Sequence, residues 1–167
     1  MTLVNPNLIR WHVIHTRPRC EKKVVENCER EGMETCLPVY RSVKKYRGKA
    51  VEFKKPLFPG YVFFRGPVYQ TQKIQQQQQV ARVLVPPDEA EFAEQLADIL
   101  RALETDREIR LAPEIQDGMR VKITRGPLRG MDGLVVRRSG LLEVYLRLDF
   151  ISQCAAVRVT ADELEAV

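Results

Sequence analysis

The spacing of the apolar residues changes once along this chain, and that change limits what the chain can fold into. Phe92, Leu96, Ile99, Leu100 and Leu103 stand at i, i+4, i+7, i+8 and i+11, one continuous helical stripe. Pro86-Pro87-Asp88 opens this segment; Asp88 suits an N-cap and Glu91 follows three residues later, as in a capping box. The simplest use of such a stripe is to cover a sheet. After Gly118 the stripe does not recur. Short apolar runs with glycine punctuation replace it, at residues 121–123, 134–136, 142–148 and 156–159. In the third run Leu142, Val144, Leu146 and Leu148 alternate with Glu143, Tyr145 and Arg147, a strand with one apolar and one polar face. Such runs with tight turns suggest a small barrel. A segment of about 50 residues is marginal for an independent core, and closing the sheet removes its edges.

Upstream, residues 9–16 alternate loosely and read as a strand that ends at Arg17-Pro18. Pro18 fits the first turn of a helix. Val24, Val25 and Cys28 then share one face of an amphipathic helix that Gly32 stops. Residues 34–47 and 50–65 read as extended, joined by a turn at Arg47-Gly48-Lys49 that is rich in lysine and arginine. Tyr61-Val62-Phe63-Phe64 is apolar throughout, as in a strand covered on both faces. Periodicity fails over residues 70–79, where glutamine dominates, and a polar hairpin tip or loop is expected. Residues 80–85 resume as a strand. Residues 104–117 are charged and aperiodic, and the best linker lies within them. The chain therefore reads as α+β, an antiparallel sheet flanked by helices followed by a small all-β barrel. The expected division is 1–108, a linker at 109–117, and 118–167.

Composition excludes several classes. The 167 residues are 44% hydrophobic and 29% charged, normal for a globular protein. No apolar run approaches the roughly 20 residues of a membrane span, and no signal-peptide core opens the chain, so a cytoplasmic protein is expected. Cys20, Cys28, Cys36 and Cys154 form no C-x-x-C pair, and no histidine completes a zinc site; ordinary buried or half-buried thiols are expected, and no metal or cofactor. His12 and His15 alternate to opposite faces of one strand without an evident nucleophile, and no phosphate or dinucleotide loop appears, so no catalytic residue is assigned and an enzyme is not expected. Charge is uneven. Residues 1–66 hold 14 Lys/Arg against 6 Asp/Glu, whereas residues 67–117 hold 5 against 10. A polyanionic partner for the first third, or simply a solvated basic face, would account for this.

Three motifs carry a resemblance: Trp11 to Val24 (WHVIHTRPRCEKKV), Pro56 to Phe63 (PLFPGYVF), and Gly118 to Ile123 followed by Gly126 to Gly133 (GMRVKI, GPLRGMDG). In this order the chain resembles NusG-family transcription elongation and antitermination factors, an N-terminal domain followed by a KOW domain. The Thr16-Arg-Pro-Arg19 turn and the Lys45-Tyr-Arg-Gly-Lys49 hairpin make it more similar to specialised RfaH-like paralogues. The resemblance implies a monomer, without membrane attachment, that binds RNA polymerase across its cleft and suppresses pausing or termination. It implies an apolar patch for the polymerase clamp at His15, Leu57, Phe58, Tyr61 and Phe63, with His15 standing where related factors often carry tyrosine. Gln70, Thr71 and Gln72 would meet the opposite cleft wall. Arg17, Arg19, Lys22 and Lys23 would contact displaced non-template DNA, through phosphates rather than bases. In the KOW domain Leu128, Met131, Phe150 and Ile151 match positions that meet termination factor Rho or a small-subunit ribosomal protein, although Leu128 and Met131 would serve equally as barrel core. The other reading is a ribosome-associated or RNA-binding KOW protein. An RfaH-like switch of the C-terminal part to helix is disfavoured by Gly126, Pro127, Gly130, Gly133 and Gly140.

Overall fold

A computed structural model describes residues 5–113, 118–138 and 140–166. In chain order the elements are β1 (Ile9–Thr16), α1 (Glu21–Arg30), β2 (Glu34–Cys36), β3 (Val39–Tyr46), β4 (Lys49–Pro56), β5 (Tyr61–Pro67), α2 (Thr71–Gln75), β6 (Val80–Leu84), α3 (Glu89–Leu103) and β7 (Ile109–Pro113). There follow β8 (Met119–Ile123), β9 (Asp132–Arg138), β10 (Leu141–Leu148), β11 (Gln153–Val159) and β12 (Leu164–Ala166). Antiparallel sheets and helices together make the fold α+β, as the sequence suggests. The chain forms two compact units, Met1–Pro38 with Phe58–Glu89, and Val39–Leu57 with Ala90–Val167.

The first unit is built on a four-stranded sheet in the order β2-β5-β1-β6. Because strand side chains alternate, His12 and Ile14 share a face with their partners Phe64 and Val62, and Trp11, Val13 and His15 share the other with Arg65, Phe63 and Tyr61. On the first face Ile14, Val62 and Phe64 form one core with Val24 and Cys28 of α1, Met33, Ile74 and Val80. The helix ends as expected. Gly32 takes φ +71°, its N–H donates to Glu29 O at 3.0 Å and the Met33 N–H to Cys28 O at 2.9 Å, a Schellman closure. Pro18 is not in the first turn of α1, which begins only at Glu21. It belongs to a preceding turn in which Arg19 takes the left-handed φ of +63°, so the chain reverses before the helix starts.

The glutamine-rich segment is more ordered than its composition suggests. Val68–Gln70 form a 3-10 turn that runs into α2, and Ile74 is fully buried. Asn27 Nδ2 donates to Gln77 Oε1 at 3.3 Å, and Gln77 Nε2 to Cys28 Sγ at 3.5 Å. One apolar anchor and side-chain amides bonded to α1 thus replace the periodicity that sequence reading requires.

In the second unit β3 and β4 form a two-stranded hairpin closed at Arg47 (φ +49°) and Gly48 (φ +79°), the type I′ geometry that matches strand twist. A six-stranded sheet follows, in the order β12-β8-β9-β10-β11-β7. Strand β7 lies inside the expected linker and pairs with β11, its Ala112 opposite Cys154; residues 114–117 of that linker lie outside the described residues. Strand β10 is not half-polar as its alternation implies. Glu143 and Tyr145 are buried along with Val144 and Leu146. The cause is Arg110 of β7, whose guanidinium donates to both Glu143 carboxylate oxygens at 2.9 Å and to Tyr145 Oη at 2.8 Å. This bidentate pairing satisfies the buried charge and extends the core to the outer face. Gly133 is required by proximity: a Cβ there would lie 2.6 Å from the Tyr145 carbonyl oxygen. The α3 stripe is covered at Phe92, Leu96, Ile99 and Ala102, while Leu100 and Leu103 are half-buried.

Candidate functional site

Strands β1 and β5 bring His15 opposite Tyr61 in register. Their rings stack with centroids 5.1 Å apart and 15° between planes. Both side chains are half-buried, so the stack is supported beneath and reachable from outside. The adjoining Pro59-Gly60 corner is held rigidly. The Gly60 N–H donates to Glu21 Oε1 at 3.0 Å, and its carbonyl accepts the Thr16 N–H at 2.8 Å. Gly60 adopts φ +87°, which favours glycine; space alone would allow a Cβ, since the nearest His15 ring atoms would be 3.7 Å away. Sequence reading did not find Glu21. Its buried carboxylate at the start of α1 is what fixes the corner.

The other three residues expected in the apolar patch are not at the surface. Leu57, Phe58 and Phe63 are 0%, 1% and 0% exposed. Phe58 and Phe63 pack edge to face at 6.4 Å, which assigns them to the interior of the first unit. Tyr61 and Phe63 share a strand face, but that face is sealed at Phe63 and open at Tyr61.

Arg17, Arg19, Lys22 and Lys23 are all exposed at the β1–α1 junction. The Arg17 N–H is tied to the Gln79 carbonyl at 2.8 Å, which fixes the backbone while the side chain projects. Arg19 holds its left-handed conformation without being glycine, a strained placement more common at functional positions than elsewhere. Lys23 pairs loosely with Glu26 at 3.7 Å on the surface. Gln70, Thr71 and Gln72 span the 3-10 turn and the start of α2; the Thr71 hydroxyl donates to Val68 O at 2.7 Å, and Gln72 alone of the three is exposed.

Leu128, Met131 and Ile151 are buried, at 0%, 1% and 7% exposure, and Phe150 is half-buried. The turn carrying Leu128 and Met131 folds back on β8, with the Ile123 N–H donating to Met131 O and the Gly130 N–H to Ile123 O, each at 2.8 Å. These two residues are therefore core, the alternative that the sequence left open. Phe150 meets Phe92 of α3 edge to face at 6.3 Å, and the neighbouring Asp149 N–H donates to Gln95 Oε1 at 2.9 Å.

The family model described as transcription termination factor nusG matches residues 9–101 of this chain, from β1 through most of α3. The chain belongs to the NusG family. No curated protein matches it. NusG-family proteins are non-enzymatic transcription factors that generally interact with RNA polymerase.

A NusG-type role asks for surfaces rather than a catalytic centre. Among the described residues no cluster of histidine, cysteine or carboxylates could hold a metal ion, and no helix is long and apolar enough to cross a membrane. All four cysteines are free, and burial raises the Cys28 thiol above its ordinary value and pushes Cys36 up to about 11, so both stay protonated and unreactive near neutrality.

His12 is fully buried against Phe64, with ring centroids 5.3 Å apart, and neither ring nitrogen has a hydrogen-bond partner. Desolvation, then the nearby Arg10 cation, holds its pKa below 6.5, against the opposing effects of the Arg10 backbone, the Glu89 charge and the Phe64 backbone. The folded protein therefore resists a proton that the unfolded chain accepts. Stability should be unaffected well above pH 6.5 and fall below it, by up to about 1.4 kcal/mol per pH unit. Urea unfolding at pH 7 and pH 5.5 should show that loss in the wild type and a shallower one in His12→Leu. An equal loss in both would place the pH sensitivity elsewhere.

Proposed function

We propose that this protein is a transcription elongation and antitermination factor that binds RNA polymerase across its cleft and disfavours pausing or termination. The observation that carries the reading is the reachable His15–Tyr61 stack on a pinned Pro-Gly corner, in a chain whose first part matches the NusG family. A rigid aromatic pair loses little conformational entropy on binding and is a good anchor for the apolar flank of a helical hairpin on the clamp. Gln72, with Gln70 and Thr71 behind it, would supply the polar contact on the opposite wall. A protein that bridges both walls stabilises the closed clamp only by its difference in affinity between closed and open states.

Arg17, Arg19, Lys22 and Lys23 would hold the non-template strand through its phosphates. Residues 118–166 would serve as the KOW module, with Phe150 the reachable member of its apolar set and Rho or a small-subunit ribosomal protein its partner. Specialisation of the RfaH type is part of the same proposal, supported by the Thr16-Arg-Pro-Arg19 turn.

Binding of the full chain to core polymerase, measured by biolayer interferometry, tests this directly. His15→Ala and Tyr61→Ala should each weaken binding by about 2 kcal/mol, roughly thirtyfold, with unfolding temperatures close to wild type. Wild-type affinity in both variants, or no polymerase binding by the wild type, would end the proposal.

A further inference from the structure

The β3–β4 hairpin has chemistry that the polymerase reading does not use. Residues 39–57 contain seven lysines and arginines and one acid, Glu52. Directly opposed residues in an antiparallel pair point to the same face. The register therefore places Lys44, Tyr46, Lys49, Val51, Phe53 and Lys55 on one face, and Arg41, Val43, Lys45, Glu52 and Lys54 on the other. The single acid is on the second face, 3.4 Å from Arg41. That second face also lines a cleft of about 620 Å³ with Arg107, Arg110 and Glu143.

The first face is different. Tyr46 and Phe53 are 53% and 39% exposed and meet edge to face at 6.2 Å, and Val51 between them is 37% exposed. Large apolar groups at this exposure on a two-stranded ribbon are not maintained by packing. Lysines flank them without a carboxylate on that face to balance the charge. The side chain of Lys44, first by hydrogen bonding and then by its like charge, holds the Lys55 ammonium below the usual lysine value. Rings interleaved with cations along one face match a strand whose bases stack and whose phosphates run alongside.

We propose that this face of the β3–β4 hairpin is a binding site for single-stranded nucleic acid, with Tyr46 and Phe53 stacking bases and Lys44, Lys49 and Lys55 holding phosphates. The site uses none of the basic residues of the β1–α1 junction, and its binding to a naked strand does not depend on polymerase. Recognition is tolerant of sequence, because every base offers a ring face. A duplex offers phosphates but no free base faces, so the rings would add nothing to its binding.

Fluorescence anisotropy with the full-length protein tests this, using oligo-dT and oligo-rU of about 12 nucleotides, within the span such surfaces cover, and a DNA duplex of equal length. Single strands should bind more tightly than duplex. Tyr46→Ala/Phe53→Ala should weaken single-strand binding by about tenfold or more and leave duplex binding unchanged. Lys44→Gln/Lys49→Gln should flatten the salt dependence by about 0.7 per lost phosphate contact. Both pairs are exposed, so unchanged thermal melting will confirm intact folds. Tighter binding of dT would identify displaced DNA as the natural strand, tighter binding of rU nascent RNA, and either supports the site. Wild-type affinity in the ring variant, preference for duplex, or loss of binding only in Arg17→Gln/Lys23→Gln would overturn it. None of these results bears on polymerase binding, which His15→Ala and Tyr61→Ala address.

Discussion

Replacing Arg107 with alanine is expected to lower the thermal midpoint at pH 7 by about 4–12 °C, the consequence of a loss of about 2–3 kcal/mol in a domain of this size. Arg107 precedes β7, and its guanidinium makes a two-pronged ion pair with Glu163, whose side chain is 8% exposed. It also donates to the Arg158 carbonyl at 3.0 Å. Glu163 in turn accepts the Thr160 N–H at 2.8 Å and its hydroxyl at 3.1 Å, the reciprocal capping box that opens the last turn before β12. Removing the arginine leaves a carboxylate with little access to water and only the Thr160 donors, which is far more costly than losing a surface pair. The pH dependence identifies the cause. Arg107 first, then the Thr160 bonds, hold the Glu163 carboxyl below its ordinary value of 4.5 against the opposing effect of burial. The ion pair's contribution is thus complete above pH 4.5 and is lost as pH falls toward the lowered value. Melting curves from pH 7 to pH 3 should show wild type and Arg107→Ala converging at the acid end. Glu163→Gln, which keeps an acceptor but no charge, should fall between them at pH 7. A constant gap at every pH would mean that Arg107 acts through packing alone.

Much of this was legible in the sequence because it rests on periodicity and turn chemistry. The spacing of Val24 and Cys28, Gly32 at a helix end and the Arg47-Gly48 turn each specify local geometry without help from distant residues. The buried α3 positions follow the same logic. Other features depend on partners far along the chain. Nothing local marks Glu143 as buried, since its burial requires Arg110 on a strand that sequence reading assigned to a linker. The charged run that hides β7 is charged because those residues, Arg107 and Arg110 among them, make ion pairs with β10 and the final turn. In the candidate site, Tyr61 and Phe63 have the same strand parity, and alternation cannot separate them; how far the cover extends along a sheet face is a tertiary property. Nothing local marks the role of Glu21, which depends on Gly60, distant in sequence.

The contrast between Tyr61 and Phe63 gives the sharpest test of where the apolar patch ends. Phe63→Ala should cost about 3–5 kcal/mol, because it removes a fully buried ring and leaves a cavity against Phe58 and neighbours that relax only partly. Phe58→Ala should behave alike. Tyr61→Ala should cost far less stability, because its side chain is only half-buried and its stacking partner His15 can remain in place. The two classes should therefore separate on a plot of polymerase affinity against stability. Tyr61→Ala and His15→Ala would lose affinity while remaining folded, whereas Phe58→Ala and Phe63→Ala would lose stability first, and affinity only through the unfolded fraction. Phe63→Leu, which preserves most of the apolar volume, should recover both. If Phe63→Leu instead restored stability but not binding, Phe63 would contact the partner, and the face sealed in the free protein would have to open when the polymerase is engaged.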